Sequence, residues 1–149
     1  MLRRTHLLIG LAVALHFVSH VSHQFSFIFI VLIATVLPDI DSGFSALGRN
    51  WISKPVQMIT SHRGFLHSYT FCVPASIIVS LINPVFALPF FLGYSFHLLA
   101  DSFTVQGIRP FWPFKVVSKG PVKVGGVIED AIFWTFLILI ILSILLLFI

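Results

Sequence analysis

The run AIFWTFLILIILSILLLFI, residues 131–149, carries no charged residue over its whole length. A helix needs about 20 apolar residues to cross a bilayer, so this stretch reads as a membrane helix and sets the solvent for the rest of the chain. Further back, four shorter apolar runs predict helices at about 5–19, 23–37, 68–82 and 85–102. Being shorter, they must tilt little, thin the bilayer or stop inside it. Asn83-Pro84 supplies a tight turn between the third and fourth runs. The expected fold is an all-α integral membrane protein of about five membrane helices, with residues 1–149 forming one domain. Composition agrees: 58% of residues are hydrophobic and 9% charged, against about 25% charged in a soluble domain. Cys72 is the only cysteine, so there is no disulfide framework.

Arg3 and Arg4 followed by Leu7 to Val18 look like the start of a secretory signal peptide. His16 interrupts the apolar part and no small-x-small cleavage site follows, so a retained helix is expected. With five crossings, the N-terminus and both long polar segments fall on one side. They hold Arg3, Arg4, Arg49, Lys54, Arg63, Arg109, Lys115, Lys119 and Lys123, which is every basic residue in the chain. The positive-inside rule puts that side in the cytoplasm, in a cell or inner membrane. The basic charge therefore points to membrane lipids as partners and not to nucleic acid. Residues 44–59 mix apolar side chains with Arg49 and Lys54 and suit a helix lying in the headgroup layer. Residues 116–124 suggest a small hairpin.

The same division gathers the chemistry. His6, His62, His67 and His97 fall on the cytoplasmic side with Asp39, Asp41 and Asp101, whereas His16, His20 and His23 belong to the other side. Ionisable groups at membrane depth are costly, which makes such a gathering a functional hypothesis. His97 and Asp101 are four apart, about 40° around a helix, and share one face as two ligands of one metal would. Asp39 and Asp41, read as an extended DxD, point to opposite sides, one to bind and one to orient or bridge. His62 and His67, five apart, cannot share a helical face; Gly64 between them suggests a loop-to-helix junction, with Ser61 suited to cap it. Glu129 and Asp130 open the last helix, where carboxylates favour the dipole's positive end, and Glu129 is also a candidate base. Mixed imidazole and carboxylate ligands suit Zn, with Mn or Fe as alternatives, and seven candidates leave room for one or two ions. HExxH, GxSxG and Walker sequences are absent, so zincin, serine-esterase and nucleotide-driven readings lack support.

LPDID at 37–41, WISKP at 51–55 and SHRGFLHS at 61–68 resemble the YdjM family. The likeness continues through Gly93-Tyr94, His97, Ala100-Asp101, Thr104, Gly107 and Trp112-Pro113, with weaker matches at Thr5-His6 and Glu129. Leu66 departs from the family's usual threonine. The resemblance implies an inner-membrane-bound, metal-dependent hydrolase, a description that covers a LexA-regulated bacterial member. A more distant likeness to zinc-dependent phospholipase C and single-strand nucleases points to phosphoesters, by fold analogy alone.

The expected function is metal-assisted hydrolysis of a phosphoester or lipid-linked substrate at the cytoplasmic face. The expected ligands are Asp39, Asp41, His62, His67, His97 and Asp101, with His6 in addition. Asp41 or Glu129 would serve as general base, and Arg63 and Arg109 would hold an anionic headgroup. The alternatives are a metal transporter or channel, with His16, His20 and His23 as an outer relay, and a non-catalytic protein with a structural metal site.

Overall fold

The computed structural model describes residues 1–41 and 64–146. Among them are five α-helices: α1 Arg3–Phe17, α2 Gln24–Val36, α3 Tyr69–Ile82, α4 Pro84–Ser102 and α5 Val127–Leu146. The described fold is all-helical, with no strand among the described residues. Two of the helices, over Pro84–Ser102 and Val127–Leu145, are long and apolar enough to cross a membrane. The stretches Gln24–Ile40 and Tyr69–Ile82 are apolar but shorter. The interfacial helix expected at 44–59 lies outside the described residues.

Local chemistry explains the helix ends. The Ser68 hydroxyl accepts from the Phe71 N–H to cap α3, while Asn83 caps α4 by accepting from the Val85 N–H, with Pro84 at the first helical position. The cap expected at Ser61 lies outside the described residues. Leu37–Asp41 is a 3-10 turn and not the extended DxD stretch expected from sequence. Leu37 keeps right-handed helical angles at the end of α2. Pro38 then fits the first turn of a tighter helix, where its missing N–H costs nothing.

The helix α2 forms the hub, packing against both α1 and α4, while α3 packs on α4 and α5 on α1. Ala14, Phe27 and Val31 make one buried cluster, and Cys72, Tyr94, Leu98 and Ile108 make another. Two glycines allow the close approach. A Cβ on Gly93 would stand 2.3 Å from the Val31 carbonyl oxygen, and one on Gly10 would stand 2.5 Å from the Thr35 hydroxyl. Small residues at such crossings are how apolar helices bring backbones together where water supplies no driving force.

The hairpin expected at 116–124 does not form. Ser118 and Ile108 instead exchange both backbone hydrogen bonds, and Val122 pairs with the 103–105 stretch. Gly120 lies against Phe103, so the segment folds back on the end of α4, where its backbone groups find partners.

Candidate metal centre

Five side chains from four stretches of sequence meet at one end of the bundle. His6 comes from the first turns of α1, Asp39 from the 3-10 turn, His67 from just before the α3 cap, and His97 and Asp101 from the last turns of α4. His6, His67, His97 and Asp101 are each buried to within 1% of full burial. The Asp39 side chain keeps 18% of its surface, so the cluster opens on that side.

The orientation of His97 is fixed from behind. Its Nδ1 lies 2.7 Å from the Thr35 carbonyl oxygen. A carbonyl can only accept, so Nδ1 carries the proton and Nε2 presents its lone pair to the cluster. That nitrogen stands 3.4 Å from His67 Nε2 and 3.9 Å from both Asp39 Oδ1 and Asp101 Oδ2. His67 Nε2 is 3.8 Å from Asp39 Oδ1 and 3.9 Å from Asp101 Oδ2. Asp39, His67 and His97 thus bring three donor atoms together, and Asp101 Oδ2 approaches the same two imidazoles. Ligands about 2.0–2.1 Å from a tetrahedral zinc stand about 3.4 Å apart, and these contacts are at or slightly above that spacing.

His6 stacks on His97 with ring centroids 3.9 Å apart and planes 14° from parallel. Its Nε2 lies 3.2 Å from the second carboxylate oxygen, Asp101 Oδ1, yet neither ring nitrogen has a hydrogen-bond partner among the described residues. A buried imidazole left so is costly unless something else satisfies it. The Met1 amino group also contacts Asp101 Oδ1. Two groups, His6–His97–Asp101 and Asp39–His67–His97, each have the atoms to hold a metal ion, and they share His97. Orphaned imidazole nitrogens, convergent lone pairs and a mixed N/O donor set fit a divalent cation.

Other sequence candidates lie elsewhere. Glu129 is fully buried, but its oxygens accept from the Leu2 N–H and, at 2.7 Å, from the Gly125 N–H, tying the start of α1 to the start of α5. Asp130 pairs with Arg4 at 2.7 Å on the surface. Arg109 is exposed on the connection after α4. His62, Arg63 and the Asp41 side chain lie outside the described residues. His16, His20 and His23 are exposed at the far end of the bundle, with the apolar Ala14–Phe27–Val31 cluster between them and the centre.

Three supporting groups were not foreseen as such. Thr35 acts through its backbone carbonyl, which no residue pattern reveals. The Tyr94 hydroxyl donates to the Leu66 carbonyl at 2.6 Å and so fixes the backbone next to His67. Thr5, fully buried beside His6, has a hydroxyl without a partner among the described residues. A polar residue inside an apolar helix is the signal that could have drawn attention to Thr5 and Thr35.

A sequence profile of the YdjM inner membrane protein family matches residues 1–149. The inner membrane protein YdjM of Escherichia coli (strain K12) is 36% identical over 102 residues, which cover 62% of this chain and 52% of that protein. The Shigella flexneri protein of the same name gives the same figures. The protein YvsG of Bacillus subtilis (strain 168) is 29% identical over 106 residues, or 67% of this chain and 66% of that protein. The chain thus spans about half the length of the two YdjM proteins. No solved structure matches it.

Proposed function

The chain belongs to the YdjM family, and from that premise we propose that it is a multi-pass membrane protein whose buried His/Asp cluster is the centre of a metal-dependent hydrolase. The observation that carries the proposal is that Asp39 and Asp101 each bring a carboxylate oxygen to 3.8–3.9 Å from the His67 and His97 Nε2 atoms, which stand 3.4 Å from each other inside a largely apolar bundle. Membrane residence is supported by the many large apolar side chains left on the outside of the helices, among them Phe25, Leu81, Ile82 and Trp134. The cytoplasmic orientation is supported by the charge bias. Arg3 and Arg4 start α1, and Arg109, Lys115, Lys119 and Lys123 lie between α4 and α5, all at the end that carries the cluster.

A divalent cation at Asp39, His67, His97 and Asp101, zinc by donor type, would supply Lewis acidity that acidifies water and polarises a phosphoryl oxygen. The chain's own groups do the rest. The Thr35 carbonyl holds His97 in one tautomer, and Asp101 presents one oxygen to the His67–His97 side and the other to His6. The substrate approaches past Asp39, the one partly exposed ligand. Asp41, two residues on, is the base the sequence offers there, because both oxygens of Glu129 already accept backbone N–H groups. Arg63 and Arg109 would bind the anionic part of the substrate. With the basic residues gathered at the headgroup layer, the preferred substrate class is a lipid-linked phosphoester.

The second reading, a purely structural metal, is favoured by one observation: every candidate ligand in the cluster except Asp39 is almost fully buried, as in a site closed to water. The test is hydrolysis of lipid and soluble phosphoesters by purified protein before and after chelation. Metal-dependent turnover that favours the lipid substrate supports the enzyme. Stoichiometric metal with no turnover on any phosphoester leaves the structural site.

A further inference from the structure

Next to the cluster is a feature the hydrolytic centre does not use. Helices α4 and α5 both pack on α1 but make no substantial contact with each other. The slot between them is a cavity of about 310 Å³, walled by Ile9 of α1, Phe96 and Leu99 of α4, Phe103 at the C-cap of α4, and Ile132 and Phe136 of α5. The 121–122 loop and Met1 close one side, and the lining side chains are all apolar.

We infer that this slot binds one acyl chain of a membrane phospholipid, with the headgroup held at the end of the slot where Met1 and Lys123 lie. The size falls at the lower end of cavities that bind small molecules, about 300–1,000 Å³. An acyl chain in an apolar slot gains dispersion contacts from all of its walls. What surrounds α5 decides the occupant. Its outer side chains, including Trp134, Ile138 and Leu142, are exposed apolar groups, and helix surface that is apolar all round faces hydrocarbon. The adjacent material is then lipid.

Continuity with the centre gives the slot a direction. On α4, Leu99 and Ala100 line the slot and the next residue is Asp101. On α1, Ile9 stands one turn beyond His6. From Phe96 to Phe103 the wall runs for about 10 Å of helix, enough for part of an acyl chain. Lys123, exposed beside Val122 where the loop closes the slot, suits a lipid phosphate. The inference rests on the hydrolase reading for the fate of the headgroup, not for binding of the chain.

The experiment uses the full chain in nanodiscs that contain a phospholipid with a photoreactive acyl chain, followed by residue-level mapping of the crosslinks. Labelling should concentrate on Phe96, Leu99, Ile132 and Phe136 rather than on the outward Trp134 and Ile138. It should persist after chelation. Ile132→Trp, which fills the slot from α5, should lower labelling of Phe96 and Leu99 by about tenfold, equivalent to about 1.4 kcal/mol of affinity. Leu99→Trp repeats the test from α4 if the first variant does not fold, and Ile138→Trp should change nothing. Even labelling around α5, or filled variants that label like the wild type, would overturn the inference. Slot labelling with no phospholipid hydrolysis by the metal-loaded protein would uphold the slot and remove the hydrolase reading.

Discussion

Replacing Gly93 with alanine tests whether the helix crossing between α2 and α4 is what positions the centre. The new Cβ would stand 2.3 Å from the Val31 carbonyl oxygen and 3.0 Å from Ala34 Cβ. Relief requires α4 to move away by about 1 Å, because a close-packed interior offers no slack. One turn along, His97 follows Gly93 just as Thr35 follows Val31, so the same displacement pulls on the His97–Thr35 bond. At 2.7 Å now, that bond would stretch to about 3.7 Å and cease to be a hydrogen bond. Two energies compete. Alanine in place of glycine favours the helix by about 1 kcal/mol, whereas overpacking costs about 1–3 kcal/mol, and the clash is with backbone that cannot rotate aside. Because the clash is with backbone the upper part of that range applies, and the protein should be destabilised by up to about 2 kcal/mol. Loss of the bond that orients a ligating imidazole should weaken metal binding by about 10–100-fold. Thermal unfolding in detergent and metal titration by calorimetry measure the two effects separately. A Gly93→Ala protein with wild-type metal affinity would refute the link between this crossing and the site.

Tyr94→Phe removes only the bond to the Leu66 carbonyl. It should cost about 1 kcal/mol of stability, and more where the carbonyl stays unpaired, with a smaller fall in metal affinity than any ligand mutant when both are titrated. Glu129→Ala strands the Leu2 and Gly125 N–H groups and should lower stability by about 1–3 kcal/mol; Glu129→Gln keeps an acceptor and should retain most of the activity, which a general base could not. A cysteine introduced at Lys54 or Lys119 should label only from the cytoplasmic side with an impermeant reagent, against a low background because Cys72 is buried; labelling from outside would invert the topology.

The parts of this fold that were legible are those where one physical signal dominates. Uncharged runs bounded by Asn83-Pro84 or by charge located all five helices to within a few residues, because in hydrocarbon the backbone has little choice but helix. The i, i+4 spacing of His97 and Asp101 put them on one face, and they do face a common point. Convergence of His6 was harder to foresee. A lone histidine near a helix start carries no spacing signal, and its place depends on the α1–α2 approach at Gly10. The hairpin at 116–124 failed because local alternation says nothing about a better partner elsewhere, here Thr104 to Ile108. The extended reading of Asp39-Ile40-Asp41 failed because Pro38 fits the first turn of a 3-10 helix that carries the chain on to Asp41.

The most direct test is the metal content of the purified protein, measured beside its phosphoesterase activity in wild type, His97→Ala and His20→Ala. The account predicts stoichiometric divalent metal in wild type and in His20→Ala, since His20 is exposed at the far end of the bundle. His97→Ala, which removes the ligand shared by both candidate groups, should lose metal and activity together while still folding. A folded His97→Ala protein that keeps its full metal content would contradict the account at its centre.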